Sequence, residues 1–226
     1  MLHAPIGYGE SAEMYLKSIY ELMNGSQVVP ISVLAERLGI TVVSVTEMVH
    51  RMQDQGLVEH VPYKGVMLTH EGRLSACAIL RRQRLWECFL FEKLELPWER
   101  VYDLACKLEH AAGPEVTEAL AAHLEEPDRC PHGNIIPSAQ GEVIPSKDRP
   151  LKDLQIGERA VLRRVDPSGT ASMSYLAEHG LIPGMRVTLE ALESIDELRT
   201  LSTGSGNVVV GRQLAAQIYV EAEADE

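Results

Sequence analysis

Hydrophobic positions in the first third of the chain recur at helical spacing in three short stretches. The first stretch is followed by Asn24-Gly25, a pair typical of a helix end. The second begins at Ser32 and is closed by Gly39, and the third runs on through Met52. The pattern therefore predicts three helices, the last two separated by a turn of three or four residues.

Residues 57–61 and 66–69 are short runs rich in apolar and β-branched side chains, as strands often are. The four residues between them, Pro62-Tyr63-Lys64-Gly65, are typical of a turn. Three helices followed by a β-hairpin are the order of elements in a winged helix-turn-helix domain. A three-helix protein-interaction domain is the alternative.

The outer face of the third helix carries groups that hydrogen-bond to groove edges and phosphates. We expect Thr41, Ser44 and Glu47 to face bases or phosphates, and Arg51 and Lys64 to contact phosphate. Charge argues the other way, because residues 1–75 hold five Lys or Arg against eight Asp or Glu.

Residues 71–126 are helical in pattern throughout, with helices predicted over 71–94, 98–112 and 114–124. Their aromatic and leucine positions suit either a dimer face or a plain core. Proline and glycine mark 126–150 as a boundary. Beyond it, five strand-like runs and one short helix predict a small SH3-like barrel. The strand-like runs are 160–165, 186–191, 197–202, 207–210 and 217–221.

Net charge, apolar runs and cysteine spacing exclude several classes of protein. The net charge of −12 over 226 residues argues against coating nucleic acid by charge alone. No apolar run reaches the length of a membrane span, and no secretory signal pattern opens the chain. The four cysteines form no Cys-x-x-Cys pair, so we expect free or metal-bound thiols in a reducing cytoplasm.

Cys106, Glu109 and His110 are spaced so that a helix would place a thiolate, a carboxylate and an imidazole on one face. Met14 is a candidate fourth ligand. Sulfur ligands favour Fe(II), Co, Ni, Cu or Zn over Mn(II). The alternative without metal is a buried cysteine, an exposed glutamate and a helix-terminal histidine, with Met14 in the core. Apart from these candidate metal ligands, the sequence shows no group of residues typical of catalysis. A metal site closed by protein ligands suits sensing better than hydrolysis, so we expect that the protein is not an enzyme.

Cys130-Pro131-His132 is a second candidate. The residue before proline is extended, so the thiol and the imidazole point the same way and could hold one ion. A rigid interdomain turn is the alternative. By pattern alone, Glu87 reads as part of a solvated helix face.

Several of these motifs together resemble the DtxR/MntR family of metal-dependent transcriptional repressors over essentially the whole chain. The resemblance is carried by 13–16, 19–22, 45–49, 56–58, 68–69, 106–110, 130–134 and, in the part similar to FeoA, 181–184. It implies a multidomain, mainly α protein with β structure. Its domains would be a winged helix-turn-helix at 1–73, a helical dimerisation and metal-binding domain at 74–145 and an SH3-like FeoA-type domain at 151–226.

The resemblance also implies two metal sites. The primary site maps to Met14, Cys106, Glu109 and His110. Met and Cys there resemble the iron-responsive branch, whereas manganese-responsive members use Asp and Glu. Those members also carry a carboxylate where this chain has Lys17, which argues against a binuclear manganese centre.

The second site resembles the version built from a glutamate, a Cys-x-His pair and an acid of the third domain. The matching residues are Glu87, Cys130, His132 and Asp166. The two histidines of the iron-type second site are absent, since Gln83 and Tyr102 stand there.

The function so implied is a homodimeric repressor of metal-uptake genes. Fe(II) is the expected metal, with Mn(II), Co(II), Ni(II) or Zn(II) as alternatives. Metal would set two recognition helices for successive major grooves of a palindromic operator in double-stranded DNA. The rival functions are a manganese-responsive member of the same family and a metal-independent winged-helix regulator. No membrane partner is expected.

Overall fold

The computed structural model describes residues 9–23, 28–166 and 169–223, and these form two compact units. The first unit comprises 1–83, 109–119 and 137–143, and the second comprises 84–108, 120–136 and 144–226. The helices of eight or more residues are α1 Glu10–Leu22, α2 Ile31–Leu38, α3 Val42–Asp54, α4 His70–Glu92, α5 Trp98–Leu108, α6 Pro114–His123 and α7 Thr170–Glu178. The strands are β1 Val58–Val61, β2 Gly65–Leu68, β3 Arg149–Pro150, β4 Arg159–Val165, β5 Arg186–Leu192, β6 Arg199–Thr203, β7 Gly206–Val210 and β8 Ile218–Ala222. A 3₁₀ turn, Leu151–Asp153, and a short helix α8, Arg212–Ala215, complete the described elements.

The first unit contains the helix-turn-helix. Gly39 ends α2 in the left-handed conformation, with φ of +66°, which glycine adopts without steric cost. Two residues later Thr41 caps α3 by accepting a hydrogen bond from the Ser44 backbone N–H at 3.1 Å. The α1 helix ends at Leu22, and the predicted stop at Asn24-Gly25 lies outside the described residues.

A hydrophobic core joins these helices to the wing. Strands β1 and β2 pair antiparallel from Val58 opposite Leu68 to Val61 opposite Gly65. The core is built from buried residues of α1, α2, α3, both strands and the start of α4; these include Leu16, Ile19, Leu34, Val45, Val49, Met52, Leu57, Val66 and Ile79. The apolar spacing read from the sequence is therefore the buried side of each helix, and the winged helix-turn-helix is confirmed.

The helices predicted over 71–94, 98–112 and 114–124 correspond to α4, α5 and α6, but α5 ends at Leu108. Glu109 and His110 therefore lie in the turn after the helix and do not share a helix face with Cys106, although the spacing predicted that they would. The α4 helix contributes to both units, since Ala76 and Ile79 belong to the winged-helix core while Leu85 and Cys88 belong to a second cluster. Compactness thus groups residues 74–145 differently from the predicted domain boundaries, which stay a prediction.

The C-terminal part of the second unit is an antiparallel sheet in the order β3-β8-β4-β5-β6-β7. The sheet has six described strands, one more than the sequence pattern predicts. The additional strand is β3, which has only two residues and ends in a proline, and therefore shows no strand pattern in the sequence. One face of the sheet packs with α7 around a core that includes Leu162, Leu176 and Leu189. Within the described residues, no helix combines the length and apolarity that a membrane span needs.

Candidate metal centres and nucleic-acid interface

Glu87, Cys130 and His132 come together inside the second unit. One ligand atom from each residue lies within 4.8 Å of the others, and all three residues are buried. The His132 Nδ1 is 2.8 Å from Glu87 Oε2, with side-chain exposures of 0% and 2%. A thiol, an imidazole and a carboxylate at this spacing form a donor set suited to a divalent transition metal.

Burial and neighbouring groups shift the pKa values of Glu87 and Cys130 in opposite directions. Burial alone would raise the pKa of Glu87, but His132, the Cys130 thiol and Arg84 outweigh burial and hold that pKa below its usual value. Burial, together with the neighbouring Glu87 charge, raises the pKa of the Cys130 thiol well above its usual value. The raised pKa keeps the Cys130 thiol protonated near neutral pH, so a metal bound through its sulfur would release that proton.

The loop that carries Cys130 and His132 is fixed to β4. The Val165 N–H donates to the His132 carbonyl at 2.9 Å, and the Asn134 side-chain amide donates to the Val165 carbonyl at 2.9 Å. Gly133 has φ of +81°, and a Cβ there would lie 1.9 Å from the Arg163 carbonyl oxygen. This close approach requires glycine and sets the position of the histidine beside it.

Trp98 at the start of α5 completes the surroundings of His132. Its indole N–H donates to the Pro131 carbonyl at 2.9 Å, and its carbonyl oxygen lies 3.1 Å from His132 Nε2. The two rings are 4.8 Å apart between centroids. From the sequence alone, Trp98 has no role in the site. It is more than 30 residues from the loop that carries His132, and only folding brings the two together.

Asp166, the fourth residue predicted for this group, lies one residue beyond β4. Its Oδ1 accepts from Arg164 at 2.6 Å, and the carboxylate also contacts the Tyr219 hydroxyl. The structure therefore places Asp166 in an ion pair outside the three-residue group, and its role as a ligand stays a prediction.

Glu109 and His110, from the primary constellation, lie in the first unit directly after α5. The Lys17 ammonium donates to Glu109 Oε1 at 2.8 Å, and the two side chains are 8% and 0% exposed. The other oxygen, Glu109 Oε2, is buried and has no hydrogen-bond partner among the described residues. Burial raises the pKa of Glu109 above its usual value although Lys17 opposes this shift.

His110 faces α1. Its Nδ1 lies 2.8 Å from Glu13 Oε2, which also accepts from Arg82 at 3.1 Å, and its Nε2 lies 3.5 Å from Glu109 Oε1. Met14 follows Glu13 directly and is 46% exposed. Cys106 is partly buried and belongs to the second unit.

Glu109 and His110 of the first unit have the chemistry that a divalent metal requires. A buried carboxylate oxygen without a partner is costly, and a cation satisfies it. The His110 imidazole beside it is partly buried and is a nitrogen donor. Met14 and Cys106 stay predicted sulfur ligands. Sequence reasoning treated Lys17 only as a departure from the manganese pattern and gave Glu13 no role. Their spacing of four residues on α1 was the available signal, because it places both on one helix face.

The residues predicted to face DNA all lie on the surface of the winged helix. Thr41, Ser44, Glu47 and Arg51 are exposed on α3 or at its cap, and Lys64 is exposed in the turn between β1 and β2. Sequence reasoning missed Val42 and Val43, which are 50% and 68% exposed at the start of the same helix. Two adjacent valines there were the signal, since one helix face cannot bury both.

Comparison with known proteins identifies the family of each part of the chain. Residues 8–66 match the family described as the iron dependent repressor, N-terminal DNA binding domain. Residues 69–138 match its metal binding and dimerisation domain, and residues 149–222 match the FeoA domain.

Relatives match over nearly the full length. The diphtheria toxin repressor of Corynebacterium jeikeium (strain K411) is 31% identical over 236 residues, covering 94% of this chain and 97% of the relative. The iron-dependent repressor IdeR of Mycobacterium tuberculosis (strain ATCC 25618 / H37Rv) is 30% identical over 225 residues, covering 94% and 97%.

Solved structures are similar as well. A manganese-dependent transcriptional repressor in complex with manganese has a TM-score of 0.83 and 32% identity, covering 94% of this chain and 100% of that one. ScaR with bound Zn²⁺ has a TM-score of 0.81 and 29% identity, covering 93% and 98%.

These matches favour a metal-dependent repressor over the metal-independent winged-helix regulator, and they include both iron-dependent and manganese-dependent relatives. The DNA-binding and dimerisation domains make DNA and a second copy of the chain its partners. The two kinds of relative make a divalent metal the cofactor. The chain belongs to the DtxR family of metal-dependent, DNA-binding transcriptional repressors, which are regulators and not enzymes.

Proposed function

We propose that this repressor responds to Fe(II) through Met14, Cys106, Glu109 and His110. The observation that carries the proposal is the buried Glu109 carboxylate, whose Oε2 has no partner among the described residues and whose Oε1 lies beside His110. Two sulfur ligands with one imidazole and one carboxylate suit Fe(II) better than Mn(II), which prefers oxygen.

The residues around the site hold its ligands in the metal-free protein. Lys17 neutralises Glu109, and Glu13 holds the His110 ring through Nδ1. A divalent metal would supply a stronger positive charge to the same carboxylate. Because α1 carries both Glu13 and Lys17, exchange of these contacts reaches the DNA-binding elements that α1 packs against. Metal that binds one arrangement better shifts the population toward it.

The proposed target is a palindromic operator in front of metal-uptake genes, bound by the homodimer in the cytoplasm. A two-fold symmetric protein places two recognition helices about 34–36 Å apart, in successive major grooves. Thr41, Ser44 and Glu47 would face bases or phosphates, and Arg51 and Lys64 would contact phosphate.

We further propose that Glu87, Cys130 and His132 form a second metal site, with Asp166 as a fourth ligand once its ion pair with Arg164 opens. The three buried residues already lie within 4.8 Å of one another. Since Cys130 and His132 sit on the loop bound to β4, a metal there would strengthen the attachment of the FeoA-type sheet to that loop.

The test is DNA binding without oxygen across Fe(II), Mn(II), Co(II), Ni(II) and Zn(II). We expect Fe(II) to raise the affinity of the wild-type protein for operator DNA at least about 100-fold, within the range of strong allosteric coupling. The variant Cys106→Ala/Glu109→Gln should lose this response, because it removes two ligands at little change in volume.

The matched control is Cys77→Ala/Glu115→Gln, which changes the same residue types outside the site and should keep the response. Metal-stimulated binding that persists in Cys106→Ala/Glu109→Gln would show that these residues are not the sensor. A response to Mn(II) but not to Fe(II) would favour the manganese-responsive alternative, which the manganese-bound relative keeps open.

A further inference from the structure

His50 of α3 and His60 of β1 bring their imidazole rings together on the surface of the first unit. The ring centroids are 5.6 Å apart, and the ring planes cross at 79°. His50 is exposed and His60 is half-buried. Neither residue belongs to the two groups of candidate metal ligands described above, and neither contributes to the hydrophobic core of the unit.

The packing of α3 on the wing fixes the position of this histidine pair. Val49, which precedes His50, is fully buried, and Val58 at the start of β1 is 2% exposed. The Gln53 side chain, one turn after His50, accepts a hydrogen bond from the His60 backbone N–H at 2.8 Å. The two backbones that carry the rings are therefore held at a fixed spacing.

Both imidazoles have ring nitrogens available for a ligand. Within residues 9–23, 28–166 and 169–223, no hydrogen bond or ion pair engages either ring. His132 is different, because its two ring nitrogens lie 2.8 Å and 3.1 Å from oxygen atoms of Glu87 and Trp98. A metal ion at the histidine pair would not have to displace a protein partner.

The spacing of the two rings matches that of two histidines bound to one metal ion. Zinc binds imidazole nitrogen at about 2.0–2.1 Å, and tetrahedral geometry then places the centroids of two bound rings about 5.2 Å apart. The observed 5.6 Å differs from this by a few tenths of an ångström. Because histidine rotates broadly about χ2, each ring can turn one nitrogen toward a shared ion.

Carboxylates on the same face of α3 make this surface attractive to a cation. Glu47 lies three residues before His50 and Asp54 four residues after it, and both are exposed. Among the described residues, no group of three ligand atoms within 4.8 Å of one another includes the histidine pair. The carboxylates therefore act through their charge, and water would fill the remaining positions on a bound metal.

We propose that His50 and His60 bind one Zn(II) ion through one ring nitrogen each, and that this third metal site links α3 to the wing. Imidazole ligands suit zinc, whereas Mn(II) prefers oxygen. The site contains none of the residues assigned to the Fe(II) sensor, so the inference is independent of the proposed function. A packing contact between two rings without metal is the outcome that the experiment must distinguish from it.

The experiment counts the Zn(II) ions bound by the full-length, metal-free protein in equilibrium dialysis without DNA. We expect His50→Gln and His60→Gln each to bind one ion fewer than the wild type, or to bind that ion at least about tenfold more weakly. The double variant should lose no more than either single variant, because both rings hold the same ion. His123→Gln, a matched change of an exposed histidine on α6, should keep the wild-type number.

Hydrogen exchange followed by mass spectrometry tests the link between α3 and the wing. The background is Cys106→Ala/Glu109→Gln, so that these two ligands of the primary group do not contribute. Zn(II) at 100 times its dissociation constant should slow exchange in peptides from α3 and β1 by up to about 100-fold, since it binds only the closed arrangement. Adding His50→Gln to this background should abolish the effect.

The inference is overturned if either single variant binds as many Zn(II) ions as tightly as the wild type, or if His123→Gln loses an ion as well. Loss of two ions in the double variant would show that each histidine binds separately. Exchange in α3 and β1 that Zn(II) leaves unchanged would reduce the pair to a packing contact. Failure of Fe(II) to stimulate operator binding would contradict the proposed function but would not change this count.

Discussion

The two groups of candidate metal ligands differ in how far the protein assembles them before metal arrives. Glu87, Cys130 and His132 belong to one compact unit, are buried and lie within 4.8 Å of one another. In the other group, Glu109 is paired with Lys17, and Cys106 belongs to a different unit from Glu109 and His110.

This difference indicates different roles for the two groups of ligands. A preassembled site needs little rearrangement on binding, so metal there chiefly adds stability. A site whose carboxylate is already held by a tethered cation must exchange partners, so its occupancy is linked to a change of conformation. The second kind suits a sensor. Three predictions test the contrast, from the largest expected effect to the smallest.

Replacing His132 by alanine should destabilise the metal-free protein by about 3–5 kcal/mol, because it leaves the buried Glu87 carboxylate without its partner. The measurement is the midpoint of the urea transition that reports on the second unit. His123→Ala, at an exposed position, should shift it by no more than about 0.5 kcal/mol. Equal midpoints for the two variants would show that the pair of His132 and Glu87 does not stabilise the fold.

Alkylation of thiols at pH 7 should separate Cys106 of the primary group from two buried cysteines, Cys130 of the second group and its neighbour Cys88. Burial, with the charges of Glu87 and Glu92, raises the pKa of Cys88 to about 12, and burial and Glu87 raise that of Cys130 well above its usual value. A raised pKa leaves little reactive thiolate at pH 7. We expect Cys106, which is partly buried, to react at least about 100-fold faster than either.

The same labelling, followed by peptide mass spectrometry, reports on metal binding without any DNA. Fe(II) should protect Cys106, and the Cys106→Ala variant should lack the fast phase. Labelling of Cys130 as fast as Cys106 would contradict the contrast in preassembly. A fast phase unchanged by metal would remove Cys106 from the ligand set.

The smallest effect is expected from Lys17→Gln. If the Lys17 ammonium competes with metal for Glu109, its removal should tighten metal binding about tenfold, equivalent to about 1.4 kcal/mol. The measurement is a Co(II) titration followed by visible absorption, without DNA. Arg37→Gln breaks the more exposed pair with Glu21 and should leave the affinity unchanged. Weaker binding in Lys17→Gln would show that Lys17 supports the site instead of competing for it.

The local pattern of apolar residues was enough to predict most helices and strands of this chain. Apolar spacing in α1, α2 and α3, followed by two short apolar runs around a turn signal, identifies the winged helix-turn-helix, because each helix buries the face that its period defines. The strands of the C-terminal sheet followed from the same reasoning. The two-residue β3 did not, since pairing with β8 creates it and no periodicity fits in two residues.

For the sites, the residues and the resemblance they carry were enough to name candidate ligands: a thiol, a carboxylate and an imidazole at 106–110, and Cys130 with His132. Tertiary structure alone decided the environment of each ligand. Glu87 reads by pattern as a solvated residue, yet it is 2% exposed and bound to His132, 45 positions along the chain. Lys17 reads as a mismatch, yet it neutralises Glu109, 92 positions away. Spacing along one helix fixes which side chains share a face, whereas burial and charge pairing depend on which distant segment packs there.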